Sequence, residues 1–238
     1  MNSTELIREK LTANDIPVSP ETAEKLGLYM DLLETWNQKM DLTAVTDPEE
    51  TADRHFADSL AILRTPLLKD VSSLIDVGTG AGFPGLVLAI ACPQISVTLM
   101  DAQKKRLDFL QAVCEATGTA NTVLVHARAE DGGKNRLYRE QFDAAAARAV
   151  APLNTLCEYL LPFVKIGGRA LCWKGPALKN ELEAGRKAAH LLGGRLEMPV
   201  SSSIAGRDWE HRILPILKVQ RTPAQYPRKA GTPKSKPL

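Results

Sequence analysis

Twelve residues, Leu74-Ile75-Asp76-Val77-Gly78-Thr79-Gly80-Ala81-Gly82-Phe83-Pro84-Gly85, hold the strongest chemical signal in the chain. An apolar run, Leu74-Ile75 with Val77, predicts a short buried strand. Gly78, Gly80 and Gly82 then predict a turn whose backbone can approach a ligand closely, and Leu86 to Ala91 continues as an apolar helix. Strand, glycine loop and helix together form the nucleotide-cradling opening of a doubly wound α/β fold. Four glycines in eight residues, Gly78 to Gly85, exceed what a simple turn requires.

Two cofactors fit this loop. Gly80-Ala81-Gly82-Phe83-Pro84-Gly85 matches the dinucleotide pattern GxGxxG, which alone is weak. Asp76-Val77-Gly78-Thr79-Gly80-Ala81-Gly82 matches the DxGxGxG pattern associated with S-adenosyl-L-methionine (SAM). The charge on Asp76 favours the second. A pyrophosphate docks on bare backbone N–H groups at a helix N-terminus, and a carboxylate at the strand end would repel it. The ammonium and sulfonium of SAM would be attracted instead.

Other residues take their meaning from the same frame. Asp101 ends the second apolar run about twenty residues past the loop, where an acid accepts hydrogen bonds from ribose hydroxyls of either cofactor. Glu130, with Ala129 beside it, follows the third predicted strand and could face an adenine edge, although an exposed loop acid is the simpler reading of Ala129-Glu130-Asp131. Arg148, at the end of the fourth strand, suits a cofactor, a phosphate or a base, and a structural ion pair equally well. Lys174 follows the strand Leu171-Cys172-Trp173 and points toward the ligand edge. His55, His126 and His190 match no metal spacing and read as structural or surface residues. No metal site is expected, because Cys92, Cys114, Cys157 and Cys172 are widely spaced and form no C-x-x-C pair.

The end of the fourth strand also excludes chemistry. An enzyme that methylates exocyclic amines commonly carries Asn/Asp-Pro-Pro-aromatic there, whereas this chain has Ala147-Arg148-Ala149-Val150. Cytosine C5 chemistry needs a nucleophilic cysteine, often after proline, and no Pro-Cys occurs. The chemistry left is attack by an atom with an available lone pair, such as guanine N7, which needs no general base.

The elements that must position these residues read as follows. Residues 1–70 are predicted to be a helical N-terminal extension. Ser19-Pro20-Glu21 is a helix start, and Leu26, Met30, Leu33 and Met40 recur at helical spacing. Asp47-Pro48-Glu49-Glu50 repeats the start signal. Residues 71–221 alternate strand and helix, which predicts a mostly parallel sheet with helices on both faces. Lys104 to Thr117 is predicted to be a helix stopped by Gly118, Leu153 to Val164 another, and Arg169 to Trp173 a strand. Residues 222–238 form a basic, Pro-rich C-terminal tail. Pro223, Pro227, Pro233 and Pro237 predict an extended segment without regular structure.

The net charge of +2 is unevenly spread. Residues 1–70 hold 7 basic and 14 acidic residues, whereas residues 211–238 hold 7 Lys and Arg and no Asp or Glu. Such a tail is the footprint of a polyanion contact, or a solvated terminus. No stretch approaches ~18 uninterrupted apolar residues, so no membrane span is expected. The N-terminus lacks a secretory pattern, and the expected location is the cytoplasm.

Three separated blocks resemble one family, the bacterial 16S ribosomal RNA guanine-N7 methyltransferases (RsmG, also called glucose-inhibited division protein B). They are Trp36-Asn37 with Leu42-Thr43 and His55-Phe56-Ala57-Asp58-Ser59-Leu60; Asp76 to Gly85 with Leu99-Met100-Asp101 and Lys105-Arg106; and Thr222-Pro223 through Tyr226-Pro227-Arg228-Lys229-Ala230-Gly231 to Pro237-Leu238. The chain departs from the family pattern at Asp41 and in the long, charged stretch 131–141. The resemblance implies a class I SAM-dependent methyltransferase fold, SAM as cofactor, and N7 of one guanine in the decoding-region loop of the small ribosomal subunit as acceptor. It carries cofactor contacts onto Gly78, Phe83, Ala129, Glu130 and Arg148, with Asp101 at the ribose; the DxGxGxG reading adds Asp76 and Gly80. Arg228, Lys229 and Lys174 are the expected RNA contacts, and the protein is expected to act as a monomer. An NAD-dependent oxidoreductase and a non-catalytic ribosome- or RNA-binding module are the alternatives.

Overall fold

Period-two alternation along short apolar strands builds the centre of the molecule. In the computed structural model, which describes all 238 residues, the parallel strands are β1 (Ser73–Val77), β2 (Ser96–Asp101), β3 (Thr122–His126), β4 (Phe142–Arg148) and β5 (Val164–Lys174). They stand in the order β3-β2-β1-β4-β5. The sheet is completed by β6 (Gly194–Leu196), β7 (Val200–Ser201) and β8 (Arg212–Lys218). β8 runs antiparallel to β5, and β6 and β7 pair with β8. The chain order reverses between β1 and β4, so the crevice above their C-terminal ends is where a ligand binds in such a sheet.

Leu74, Ala144, Ala146, Leu171, Trp173 and Ile213 face one apolar layer, and Ile75, Val77, Ala145, Ala147, Ala170, Cys172, Leu214 and Ile216 face the other. The first layer is covered by α1 (Ser3–Ala13), α2 (Pro20–Asn37), α5 (Gly85–Ala91) and α6 (Lys104–Thr117). Between α2 and β1, α3 (Pro48–Thr51) runs into a wider turn over Ala52–Ala57 and then α4 (Asp58–Leu60). In that turn the Asp58 N–H reaches back to the Asp53 carbonyl. The N-terminal helices therefore share one core with the sheet. Leu6, Ile7, Leu26, Tyr29 and Leu33 pack in the same cluster as Leu86, Phe109 and Leu110, each such side chain contributing roughly 1.5–3 kcal/mol on full burial. The predicted start signals act as caps: Ser19 Oγ accepts from the Thr22 N–H at 3.1 Å and Asp47 Oδ1 from the Glu50 N–H at 2.8 Å. α2 ends at Asn37, before Met40. Gly118 follows α6 in the left-handed conformation, φ 64°.

The second layer comprises α7 (Ala129–Gly132), α8 (Leu153–Leu160), α9 (Leu178–Leu191) and the C-terminal segment. Here the sequence reading needs two corrections. α8 stops at Leu160, not Val164, because Pro162 cannot continue a helix and sits in a tight turn over Leu161–Phe163. The following strand begins at once with Val164 and is interrupted by a register shift opposite Phe142/Ala144, where Gly167 adopts φ 89°.

The tail is the second correction. Residues 222–238 carry little regular structure, only α10 (Thr232–Ser235), yet they are held along their length. The Arg139 guanidinium donates to the carbonyls of Tyr226 (2.7 Å) and Thr222 (2.8 Å). Glu140 Oε1 accepts from the Thr222 N–H at 2.8 Å. At the far end Asn154 Nδ2 donates to the Leu238 carbonyl at 2.7 Å. Prolines deny the segment a ladder, and side chains of the charged stretch 131–141, with those of Glu130, Asn154 and Glu158, supply its partners instead.

Candidate active site

The glycine loop is stitched to the end of β2. The amides of Gly78 and Thr79 donate to the Met100 carbonyl at 2.8 and 3.1 Å. Gly80 N–H donates to Asp101 Oδ2 at 2.9 Å, and Gln103 N–H to Oδ1 at 2.8 Å. Gly78, Gly80 and Gly82 take φ of 72°, 59° and 97°, a region open to glycine at little cost. Tyr29 of α2 donates its hydroxyl to the Ala81 carbonyl, so the N-terminal helices hold the loop from below.

Asp76 departs from expectation. It is buried beneath the loop, where Oδ2 accepts from Thr79 Oγ1 (2.7 Å) and the Gly85 N–H (2.9 Å). It does not line the cleft, and Oδ1 has no partner. Burial pushes its carboxyl up to about 6, against the hydrogen bonds that favour the ionised form. Asp76 braces the loop, and any attraction it exerts on a cation acts through the loop backbone, not by contact.

Above the loop lies a cleft of about 650 Å³, within the range of cofactor sites. Gly78, Gly80, Phe83, Asp101, Ala129, Glu130 and Arg148 all line it. Sequence reasoning missed Thr43, His55, Arg128, Tyr159, Gly231 and Lys234, which line it too. Glu130 is buried, not an exposed loop acid, and its Oε1 accepts from the Gly231 N–H at 2.8 Å. The tail thus closes one side of the cleft. A Cβ at Gly80 would have only the Gly78 carbonyl oxygen within 4 Å, at 3.9 Å. Bare backbone there leaves open space into which a ligand fits.

Arg148 stands at the opposite end of the cleft. Its Nη1 donates to the Arg54 carbonyl at 2.6 Å and lies 3.3 Å from Asp58 Oδ2, while Nη2 lies 3.2 Å from His55 Nδ1. A guanidinium only donates, so His55 Nδ1 accepts and the ring proton sits on Nε2, 2.7 Å from Thr43 Oγ1. The imidazole stacks on Phe83 with ring centres 4.6 Å apart. The Thr43 loop is fixed in turn by Asn37, whose Oδ1 accepts from the Leu42 and Thr43 amides, both at 2.9 Å. His55, which reads in the sequence as a structural or surface residue, joins the N-terminal helices to the cofactor end. His126 and His190 are exposed.

A second cavity, of about 340 Å³, shares His55, Arg148 and Ala149 with the cleft and extends over the ends of β4 and β5 to Asp58, Trp173, Lys174, Glu181 and His211. Lys174 therefore reaches this inner cavity, paired with Glu181 at 2.6 Å. Arg228 also departs from expectation. Its guanidinium grips Glu158, which is fully buried, with Nη2 2.6 Å from Oε2 and Nε 3.0 Å from Oε1. The buried carboxylate needs that cation, so its charge is spent inside the fold. Lys229 is exposed.

The profile of the family described as rRNA small subunit methyltransferase G matches residues 22–208. The chain is 44% identical over all 238 residues, and over the full length of both chains, to the ribosomal RNA small subunit methyltransferase G of Alkaliphilus oremlandii. It is 43% identical over 94% of its length to that of Clostridium botulinum, 93% of which is covered. The chain belongs to the rRNA small subunit methyltransferase G family. It is a SAM-dependent methyltransferase of class I fold, and the oxidoreductase reading of GxGxxG is not favoured. Solved structures share the fold at low identity. The 16S rRNA (adenine(1408)-N(1))-methyltransferase from Catenulisporales acidiphilia is 18% identical with a TM-score of 0.51, over 63% of this chain and 89% of that one. The YcgJ protein from Bacillus subtilis is 12% identical with a TM-score of 0.54, over 70% of this chain and all of the other.

Within this family member the neutral state of His55 has a consequence for acid stability. Burial, then the charges of Arg148 and Arg54, push its imidazole down to about 3. The folded value lies below the unfolded one, so this stability is fully present above pH 6.5 and is lost as pH falls toward 3, on the order of 4 kcal/mol in all. Asp76, raised by burial, works with the opposite sign between 3.8 and about 6. Replacing His55→Gln should therefore flatten the acid limb relative to the unmodified protein, because Asp76 cancels in the comparison. Melting temperatures from pH 7 to pH 4 read this directly, and two parallel acid limbs would dismiss His55 as the source.

Proposed function

We propose that the chain transfers the methyl group of SAM to N7 of one guanine in the decoding-region loop of 16S rRNA, acting as a cytoplasmic monomer on the small ribosomal subunit. No helix is long and apolar enough to cross a membrane. One observation carries the choice of atom: each group that could take a proton at the wall between the two cavities is already engaged. His55 has both nitrogens occupied and is a weak base at about 3. Burial raises Asp58, but hydrogen bonds from His211 and Ser202 and the charge of Arg148 outweigh it and hold the carboxyl below its ordinary value. A sugar hydroxyl needs a base to become a nucleophile, and guanine N7 has no proton to lose.

When bound, SAM supplies an electrophilic methyl on a sulfonium, so the N7 lone pair forms the new C–N bond while the C–S electron pair returns to sulfur and the positive charge passes to the base. The protein's own part is alignment. Gly78 and Gly80 offer bare backbone to the methionine end, with Phe83 and Arg148 flanking it. Asp101 accepts from the ribose hydroxyls, and the Ala129-Glu130 pair receives the adenine edge. Exposed Lys229, with Arg128 and Lys234 at the mouth of the cleft, would meet RNA phosphates.

The test uses labelled SAM and small subunits from a strain lacking the enzyme, across a salt series. Label is expected in 7-methylguanosine at one site in the decoding-region loop, with a rate that falls steeply as salt rises. Label in another nucleoside, or none in RNA while SAM still binds, would refute the acceptor.

A further inference from the structure

The second cavity has a wall that the transfer step itself does not use. Lys174, at the end of β5, donates to the Ala151 carbonyl at 3.2 Å and pairs with Glu181 of α9 at 2.6 Å through Oε2. The same Oε2 accepts from the Leu153 N–H at 2.7 Å. Two of the three lysine protons are therefore used, and Glu181 Oε1 takes no hydrogen bond. Both side chains are largely withdrawn from solvent, 10% and 21% exposed. Asp58, on the other side of the cavity, has no such spare atom. Its Oδ1 accepts from Ser202 at 2.7 Å and lies 3.1 Å from His211 Nδ1, and its Oδ2 faces Arg148.

We propose that the Lys174–Glu181 pair reads the Watson–Crick edge of the acceptor guanine, with Glu181 Oε1 accepting from the N2 amino group and Lys174 donating its third proton to O6. The inference rests on the reading of the site as a guanine-N7 methyltransferase. For methyl transfer N7 must point directly into the cofactor cleft where the two cavities adjoin, beside His55, Arg148 and Ala149. N2 then points away, toward the opposite side of the cavity, and O6 lies between the two edges. A flipped base is read in this way, by hydrogen bonds to its Watson–Crick edge. Adenine carries only a C–H at C2 and an amino group in place of O6, so it would leave Glu181 without a donor and set a donor against Lys174. The pair also favours the reaction. Methylation at N7 leaves a positive ring whose N–H groups are more acidic, and a charge-assisted hydrogen bond to Glu181 strengthens as the new bond forms.

The experiment compares kcat/KM on small subunits carrying guanosine or inosine at the target position, inosine lacking only the N2 amino group. The unmodified enzyme should lose about 10- to 100-fold on inosine, because a charged acceptor is left unpaired. In Glu181→Gln the amide oxygen keeps the Leu153 contact and the NH2 faces the base. The guanosine rate should fall by a similar factor, and the guanosine-to-inosine ratio should shrink to within about threefold. SAM affinity, measured by calorimetry, should be unchanged. A variant that is slower on both substrates with the ratio intact would make Glu181 a purely structural brace and overturn the proposal. So would an unmodified enzyme that takes both nucleosides equally, a result independent of whether any variant folds. Failure of the underlying reading would show separately, as no 7-methylguanosine in the guanosine arm.

Discussion

Replacing Gly80→Val should raise the dissociation constant for SAM by at least about 100-fold, roughly 2.7 kcal/mol, while the protein stays folded. Gly80 sits at φ 59°, where a β-branched residue costs about 1–3 kcal/mol in backbone strain. The new Cβ would stand in the open cleft with no protein atom nearer than 3.9 Å, so it would occupy ligand space without displacing core. The strain also pulls on the Gly80 N–H, which is bonded to Asp101 Oδ2, the acid placed to receive the ribose. Binding therefore suffers twice, from lost volume and from a displaced carboxylate. Melting temperature should fall by only a few degrees in a chain of this length. Calorimetric titration with SAM checks the claim, and unchanged affinity would remove the loop from the cofactor site. Gly82 would be a poorer choice, because a Cβ there would overlap the Tyr29 hydroxyl, and Leu110 would lie 2.9 Å away; its replacement reports on packing.

The largest stability effect is expected at Arg228→Ala, a loss of about 3–5 kcal/mol. Glu158 lies fully buried on α8, and the Arg228 side chain meets it through Nε and Nη2 while the Arg228 N–H adds a third contact at 2.7 Å. Those hydrogen bonds raise the guanidinium above its ordinary range. Removing the side chain leaves a buried carboxylate with one backbone donor. Arg228→Lys should recover only part of the loss, since an ammonium cannot reproduce the fork. Urea unfolding measures both variants, and a loss under about 1 kcal/mol for the alanine would mean that the pair is nearly solvated. The same change should release the tail from the cleft, where Gly231 and Lys234 line the wall. SAM binding would then weaken for a reason unrelated to RNA phosphates.

These two positions mark how far the chain could be read without its structure. The loop glycines Gly78 and Gly80, together with Asp101, line the cleft as their spacing predicts, and Phe83, which the resemblance singles out, lines it too. The alternation of strands and helices, the Ser19 and Asp47 caps and the Gly118 stop were also legible. All of these depend on interactions within about ten residues or on the period of a helix or strand, and such periods are written directly in residue order. Asp76 shows where local reading ends. Its place in the motif was visible, but its burial beneath Gly85 depends on how α5 packs against the strand.

His55 and Arg148 are 93 positions apart, and Arg228 and Glu158 are 70 apart. Their residue types allowed either a solvated charge or a structural pair. The sequence reading assigns RNA phosphates to Arg228 as its partner, whereas the fold spends it on Glu158. Residue spacing by itself determined a nucleotide-cradling glycine loop on a doubly wound sheet, open to two cofactors; the tertiary structure alone decided which charges face the ligand and which are consumed in holding the fold. A charge acquires its role from the dielectric and the partners around it, and both exist only once distant segments have packed together.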